Sequence, residues 1–293
     1  MVAFIVFLII SVALAGVTYY FGGYTSSIIW MWLPFVLAFV YFWALYLILA
    51  LAMALVSFCV NHSKKKDYPP NPFGMWMLAQ VCRLTLIFFR VRVHTTGLGK
   101  IPDGDRKFML VSNHLSGFDH VGLISLLEGK RLICVYKSGL EKMILASGWT
   151  KLAGYLSIVQ GDVVSGTKVI AKAGEYIKDN ITSVAIAPEG TRNKDFPNPE
   201  ILPFHPGSFQ MAYDSHCPIV VFAIQNTNCI FKRFPLLGTD VWFDCVGVLE
   251  YDEYKDLSSA ELAEKTRGLI ARRFEQKHAR FYHLKPKKEE KAE

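Results

Sequence analysis

The chain has 293 residues, 52% hydrophobic and 19% charged, and its 32 Lys and Arg against 25 Asp and Glu give a net charge of +7. Residues 1–60 contain no Asp, Glu, Lys or Arg, which excludes a wholly soluble chain; the basic surplus elsewhere lacks the stacking aromatics or recognition helix of a nucleic-acid binder, so membrane lipids and no nucleic acid are the expected partners. Six scattered cysteines (Cys59, Cys82, Cys134, Cys217, Cys229 and Cys245) without C-x-x-C spacing exclude a zinc framework or a disulfide scaffold and fit reduced thiols.

In chain order, Val2 to Tyr19 and Ile28 to Val60 are uncharged stretches to set against the about twenty residues needed to cross a hydrocarbon core. Between them Phe21-Gly22-Gly23-Tyr24-Thr25-Ser26-Ser27 reads as a tight polar turn, with Tyr19, Tyr20, Trp30 and Trp32 at one interface. Residues 1–60 are therefore expected to form a transmembrane helical hairpin. A cleaved signal peptide competes for the first stretch, because Ala13-Leu14-Ala15 has the small-x-small form, but the basic n-region is absent. Lys64-Lys65-Lys66 puts the following end in the cytoplasm by the positive-inside rule, and the N-terminus with it.

Residues 61–72 read as a basic, proline-rich linker closed by Pro69-Pro70-Asn71-Pro72, where ring-locked residues stop the helix. Residues 73–284 then form the expected domain. From Phe73 to Phe89 the apolar side chains of Phe73, Trp76, Met77, Val81, Leu84, Ile87 and Phe88 recur at helical spacing, and two readings stand: an interfacial helix, or a buried helix of the domain. Short apolar runs at Lys107–Val111, Leu132–Tyr136, Leu156–Gln160, Val184–Ala187, Ile219–Gln225 and Val241–Leu249 alternate with helical stretches at Asp119–Leu127, Val164–Lys178, Ser208–Ser215 and Ser258–Leu284. Such alternation argues one α/β domain. Ser258 and Glu261 form a capping box for the last helix, with Leu262, Ile270, Phe274 and Phe281 as its buried stripe. The mixed-charge tail 285–293 is expected to be disordered.

Chemistry concentrates in two loops that follow strands. Asn113-His114-Leu115-Ser116-Gly117-Phe118-Asp119-His120 places a histidine five residues ahead of an aspartate. On a continuous helix the two would point apart, but on a turn leading into a helix they meet, and a carboxylate on one ring nitrogen frees the other to take a proton. Seventy-five residues on, Pro188-Glu189-Gly190-Thr191-Arg192 is a proline and glycine turn ending in a guanidinium, whose planar fork of donors suits a phosphate. A hydrolase built on Ser116 lacks the G-x-S-x-G elbow, and a metal site from His114, Asp119 and His120 lacks i, i+4 spacing and a fourth ligand.

In this order, each after a strand, the two loops closely resemble those of the glycerolipid acyltransferase family typified by 1-acylglycerol-3-phosphate acyltransferases. The resemblance runs from about Val91 to Val221 and takes in Lys137, Gly154-Tyr155-Leu156-Ser157-Ile158, Phe204-His205-Pro206-Gly207-Ser208-Phe209 and Cys217-Pro218-Ile219-Val220. It implies a single mixed-sheet α/β acyltransferase domain behind the hairpin, which the lysine triplet at 64–66 puts on the cytoplasmic face. It also implies that His114 takes the proton of an acceptor hydroxyl, which attacks an acyl thioester directly while Asp119 steadies the imidazole. Glu189, Gly190, Thr191 and Arg192, with Lys137, are the phosphate-binding set it implies, supported by Asn113 and Pro188. Acyl-CoA or acyl carrier protein thioester is the co-substrate, a lysophospholipid the acceptor, and no cofactor is implied. The family's second block usually ends in an isoleucine-aspartate-arginine run. Here Ile158-Val159-Gln160 stands in its place, so charge recognition falls to Arg192 with Lys137 or Lys168.

Overall fold

The computed structural model describes residues 2–24, 30–62, 68–137, 147–159, 161–193 and 201–275. It divides into two compact units, Met1–Tyr68 with Gly139–Leu152, and Pro69–Ser138 with Ala153–Glu293. The basic triplet at 64–66, Gln160 and the tail lie outside the described residues.

In the first unit, helices α1 (Val2–Phe21) and α2 (Leu33–His62) pack on one another, and Thr18 Oγ1 shares a 2.8 Å hydrogen bond with Tyr41 Oη. Helix α2 is long and apolar enough to cross a membrane. Its outward side chains are apolar and exposed, Phe35, Phe39 and Leu51 among them, which no water-facing helix would favour. A short helix, α5 (Ser147–Leu152), belongs to the same unit. Gly148 N–H donates to Ser57 Oγ at 2.9 Å, and Trp149 Nε1 donates to the Met53 carbonyl at 3.0 Å. A Cβ on Gly148 would sit 2.3 Å from Ser57 Cα, so only glycine permits this approach. This segment interrupts the 73–284 stretch read as one domain.

The second unit is built on a seven-stranded sheet: β1 (Val91–Thr96), β2 (Met109–Ser112), β3 (Leu132–Lys137), β4 (Leu156–Ile158), β5 (Ser183–Ile186), β6 (Ile219–Gln225) and β7 (Thr239–Leu249), in spatial order β1-β7-β6-β2-β5-β3-β4. Strands β2 to β6 run parallel, whereas β7 is antiparallel to β6 and carries β1 parallel to itself, so the sheet is mixed. Every residue of β2, β5 and β6 is buried, as expected of central parallel strands covered on both faces. Strand β1 was not among the expected runs. Its Arg92 and His94 interrupt the apolar pattern, and both bond to Asp240 of β7, at 2.6–2.7 and 2.9 Å.

Helices α3 (Pro72–Phe88), α4 (Phe118–Leu126), α6 (Val163–Lys178), α7 (Gln210–Ser215), α8 (Ile230–Arg233) and α9 (Ser259–Glu275) complete the unit. The capping box is present: Ser258 N–H and hydroxyl donate to Glu261 Oε2 at 2.8 and 2.7 Å, and Glu261 N–H returns to Ser258 Oγ at 3.3 Å. Leu262 and Ile270 are fully buried below it. Asn71 caps α3 through the amides of Phe73 and Gly74, with Pro72 in the first turn. The face of α3 that packs inward carries Gly74, Met75, Leu78, Ala79, Cys82, Leu84 and Leu86; of the stripe read in the sequence, Leu84 is therefore buried, whereas Phe73, Trp76, Ile87 and Phe88 are exposed. The stripe is thus divided between the buried and the exposed side of the helix. The five cysteines of this unit are free and buried, and burial pushes the Cys245 thiol up to about 11.

Candidate active site

Strand β2 ends at Ser112, and the chain then turns into α4 through residues 113–117. Asn113 fixes the start of the turn. Its amide donates to the Ile224 carbonyl at 2.9 Å and accepts from Ile224 N–H at 2.8 Å, so the side chain continues the ladder between β2 and β6.

Asp119 lies in the first turn of α4 but points back into the preceding turn. Its Oδ2 accepts from Leu115 N–H at 2.6 Å, Ser116 N–H at 2.8 Å and His114 Nδ1 at 2.8 Å. Its Oδ1 accepts from the Thr227 hydroxyl. An ionised carboxylate only accepts, so His114 donates from Nδ1 and its Nε2 carries the lone pair. The His114 side chain keeps 16% of its surface, against 2% for Asp119. The aspartate is therefore buried and held by four donors, while the imidazole it steadies remains accessible.

Backbone conformation at Gly117 is ordinary, with φ −62°, so the turn does not use glycine's freedom there. Among the described residues Gly117 N–H is the one amide between 115 and 119 without an acceptor: Phe118 N–H is taken by Ser116 Oγ and Asp119 N–H by the Ser116 carbonyl.

The 188–193 loop is strapped to the same turn by one main-chain bond and one from main chain to side chain. Asn193 N–H donates to the His114 carbonyl at 2.8 Å, and His114 N–H donates to Glu189 Oε1 at 2.8 Å. Leu202 N–H approaches Glu189 Oε2 at 3.4 Å. Glu189 is only 4% exposed, and burial pushes its carboxyl up to about 7 despite those amides. The family pattern sets Glu189 against a phosphate. Here its carboxylate instead faces inward onto two amides, because the chain that returns at Leu202 closes over it.

Gly190 adopts φ +63°, and a Cβ there would sit 3.1 Å from the His205 ring, so this position needs glycine for conformation and for space. Thr191 and Arg192 are exposed, and Arg192 Nη2 lies 3.9 Å from where a Gly117 Cβ would stand, which hangs the guanidinium over the histidine's own turn. Pro188 is buried and accepts from His205 N–H at 2.9 Å. Lys137 ends β3, two strands from β2 at the same C-terminal end of the parallel strands; among the described residues no hydrogen bond or ion pair joins it to the others. His120 stacks obliquely beside His114, with ring centroids 5.2 Å apart, and burial, then His114 and Arg192, push its pKa down to about 4.

Two contributors were not singled out from the sequence: Thr227 and Phe231. Phe231 lies 5.1 Å from Phe118, beside Asp119. Thr227 comes two residues after β6, where an isolated threonine has no local signature. Among the described residues no group of three His, Cys, Asp or Glu is placed to hold a metal.

Residues 91–225 match the family model described as Acyltransferase, a stretch that takes in strands β1 to β6, the His114–Asp119 turn and the Pro188–Arg192 loop. Its relatives include human 1-acyl-sn-glycerol-3-phosphate acyltransferase alpha, 28% identical over 158 residues, 50% of this chain and 52% of that protein. The human beta enzyme is 30% identical over 162 residues, 54% of this chain and 55% of that protein. The chain thus spans about half the length of these relatives. A crystal structure of the 1-acyl-sn-glycerophosphate (LPA) acyltransferase PlsC from Thermotoga maritima superposes with a TM-score of 0.57 over 80% of this chain and 95% of its own, at 16% identity, a likeness of fold.

Proposed function

We propose that this chain is a membrane-bound O-acyltransferase that moves a fatty acyl group from an acyl thioester to the free hydroxyl of lysophosphatidic acid, giving phosphatidic acid. The observation that carries the reading is the 2.8 Å bond between His114 Nδ1 and the buried Asp119 carboxylate, which leaves Nε2 as the ring nitrogen not engaged by the carboxylate. His114 Nε2 takes the proton as the acceptor oxygen attacks the thioester carbonyl, and Asp119 stabilises the imidazolium that forms. The tetrahedral oxyanion meets the Gly117 N–H, and collapse releases the thiolate, which His114 protonates. No acyl-enzyme intermediate is required.

Arg192 holds the acceptor phosphate, with the Thr191 and Gly190 backbone and Lys137 beside it, while Glu189 braces the loop. Helices α1 and α2 form the transmembrane hairpin, and the catalytic unit lies on the cytoplasmic face. Acyl-CoA or acyl carrier protein supplies the donor, and the named relatives favour lysophosphatidic acid as acceptor. Another lysophospholipid is the second reading, motivated by Gln160 standing where the family places an arginine.

The test is a panel of lysophospholipid acceptors offered to the purified protein with a labelled acyl thioester. Transfer to lysophosphatidic acid, lost in His114→Ala and Asp119→Asn with expression unchanged, is the expected result. Equal turnover in His114→Ala would sink the reading.

A further inference from the structure

The end of α3 and the segment that follows β6 form one apolar surface next to the site. Ring centroids chain it together: Phe118 to Phe231 at 5.1 Å, Phe231 to Phe89 at 5.3 Å, Phe89 to Phe234 at 4.7 Å and Phe234 to Phe88 at 5.3 Å. Arg90 pins the segment to α3 by donating to the carbonyls of Pro235 at 3.4 Å and Leu236 at 3.2 Å. The outer members of the surface stay uncovered: Leu236 is 83% exposed, Phe231 69%, and Leu237, Ile87 and Phe88 about half. Isolated exposed leucines are ordinary, but a contiguous patch of this kind marks an interaction site.

Charge on the same segments selects the occupant. No Asp or Glu occurs between Tyr68 and Pro102 or between Ser215 and Thr239, whereas Arg90, Lys232 and Arg233 flank the patch. Exposed aromatic and leucine side chains ringed by cations, with acids absent, match the boundary between anionic headgroups and acyl chains. A protein partner of mixed surface charge would give no reason for two acid-free segments to converge here.

We infer that Ile230–Leu237, together with the Ile87–Arg90 end of α3, docks the catalytic unit directly on an anionic bilayer. Leu236, Leu237 and Phe231 enter the acyl boundary about 5–10 Å deep. The row from Phe231 to Phe118 then joins that boundary to the residue beside Asp119, a dry path for an acyl chain. This last step rests on the acyl-transfer reading; the docking itself does not.

The experiment places an environment-sensitive fluorophore on Leu236→Cys, and for control on Lys178→Cys at the far end of the sheet, in the full chain carrying Cys59→Ser; the other five cysteines are buried. The protein is reconstituted in vesicles of phosphatidylcholine and phosphatidylglycerol with or without brominated acyl chains. A blue-shifted emission at 236 that brominated lipid quenches, with no quenching at 178, is the result expected. A 236 label quenched no more than the control overturns the docking, and so does a blue-shifted but unquenched label, which would mean that a second copy covers the patch. Quenching at 236 in a preparation without acyl transfer retains the docking and removes only the enzymatic reading. In an active preparation, Leu236→Ser with Leu237→Ser should reduce transfer to bilayer acceptor roughly tenfold or more, while sparing a short-chain monodisperse acceptor, as expected when two leucines lose their apolar surroundings.

Discussion

Thr227 donates its hydroxyl to the one Asp119 oxygen that His114 leaves unused. The two residues are 108 positions apart, so the bond ties the end of β6 to the turn after β2. Both are buried, and a carboxylate stripped of one donor there loses on the order of 1–3 kcal/mol of stabilisation. Thr227→Val is therefore expected to lower kcat/KM on the order of tenfold, with Thr227→Ser restoring most of it, because serine keeps the donor and valine keeps the shape. Steady-state kinetics beside a thermal melt separates this from unfolding. A valine variant with wild-type kcat/KM would show that three donors suffice to hold Asp119.

Arg192 hangs over Gly117 without a carboxylate partner among the described residues. A guanidinium left unpaired beside an accessible imidazole is available to a dianionic phosphate, and it offers a fork that lysine cannot. Arg192→Ala should raise KM for a phosphate-bearing acceptor by about tenfold or more with little change in KM for the thioester, and Arg192→Lys should recover only part of the loss. An unchanged acceptor dependence would remove the guanidinium from phosphate binding.

What could be read from the sequence was local. His114 and Asp119 are five residues apart on one turn, so the chemistry of the pair and its spacing were enough to bring them together. Gly190 was legible only as part of a proline and glycine turn; its left-handed φ was not. The orientation of Glu189 was hidden because it depends on Leu202, which arrives thirteen residues later to offer the second amide. The core face of α3 was hidden for another reason: both sides of the helix are apolar, and periodicity does not say which one meets α4. Strand β1 escaped because Arg92 and His94 look like a surface run until Asp240 of β7 pairs with both.

Gly190 meets two independent constraints, the left-handed φ of +63° and the His205 ring, which would lie 3.1 Å from an added Cβ. Alanine in that conformation costs roughly 1–2 kcal/mol, and the imidazole must also shift, which disturbs the hydrogen bond from His205 N–H to Pro188. Gly190→Ala should lower the Tm by several degrees and weaken binding of a phosphate-bearing acceptor, whereas Gly129→Ala, with open space around its Cβ, should do neither. Equal melts for the two variants would mean that the loop refolds around the extra methyl.

Glu189 makes the fold sensitive to pH in a direction opposite to that of most carboxylates. Burial raises its pKa from the ordinary 4.5 to about 7, so between those values the unfolded chain releases the proton while the folded chain keeps it. The folded state then binds more protons than the unfolded one, and stability falls as pH rises, by at most about 1.4 kcal/mol per pH unit, levelling off above about 7. Glu189→Gln removes that ionisation. The variant starts lower, since its Nε2 faces the Leu202 N–H, but lacks the decline. Melting both proteins across the interval should therefore show the Tm gap between wild type and variant closing as pH increases. A gap that stays constant from acid to neutral would mean that the carboxylate is ionised throughout, sustained by the amides of His114 and Leu202.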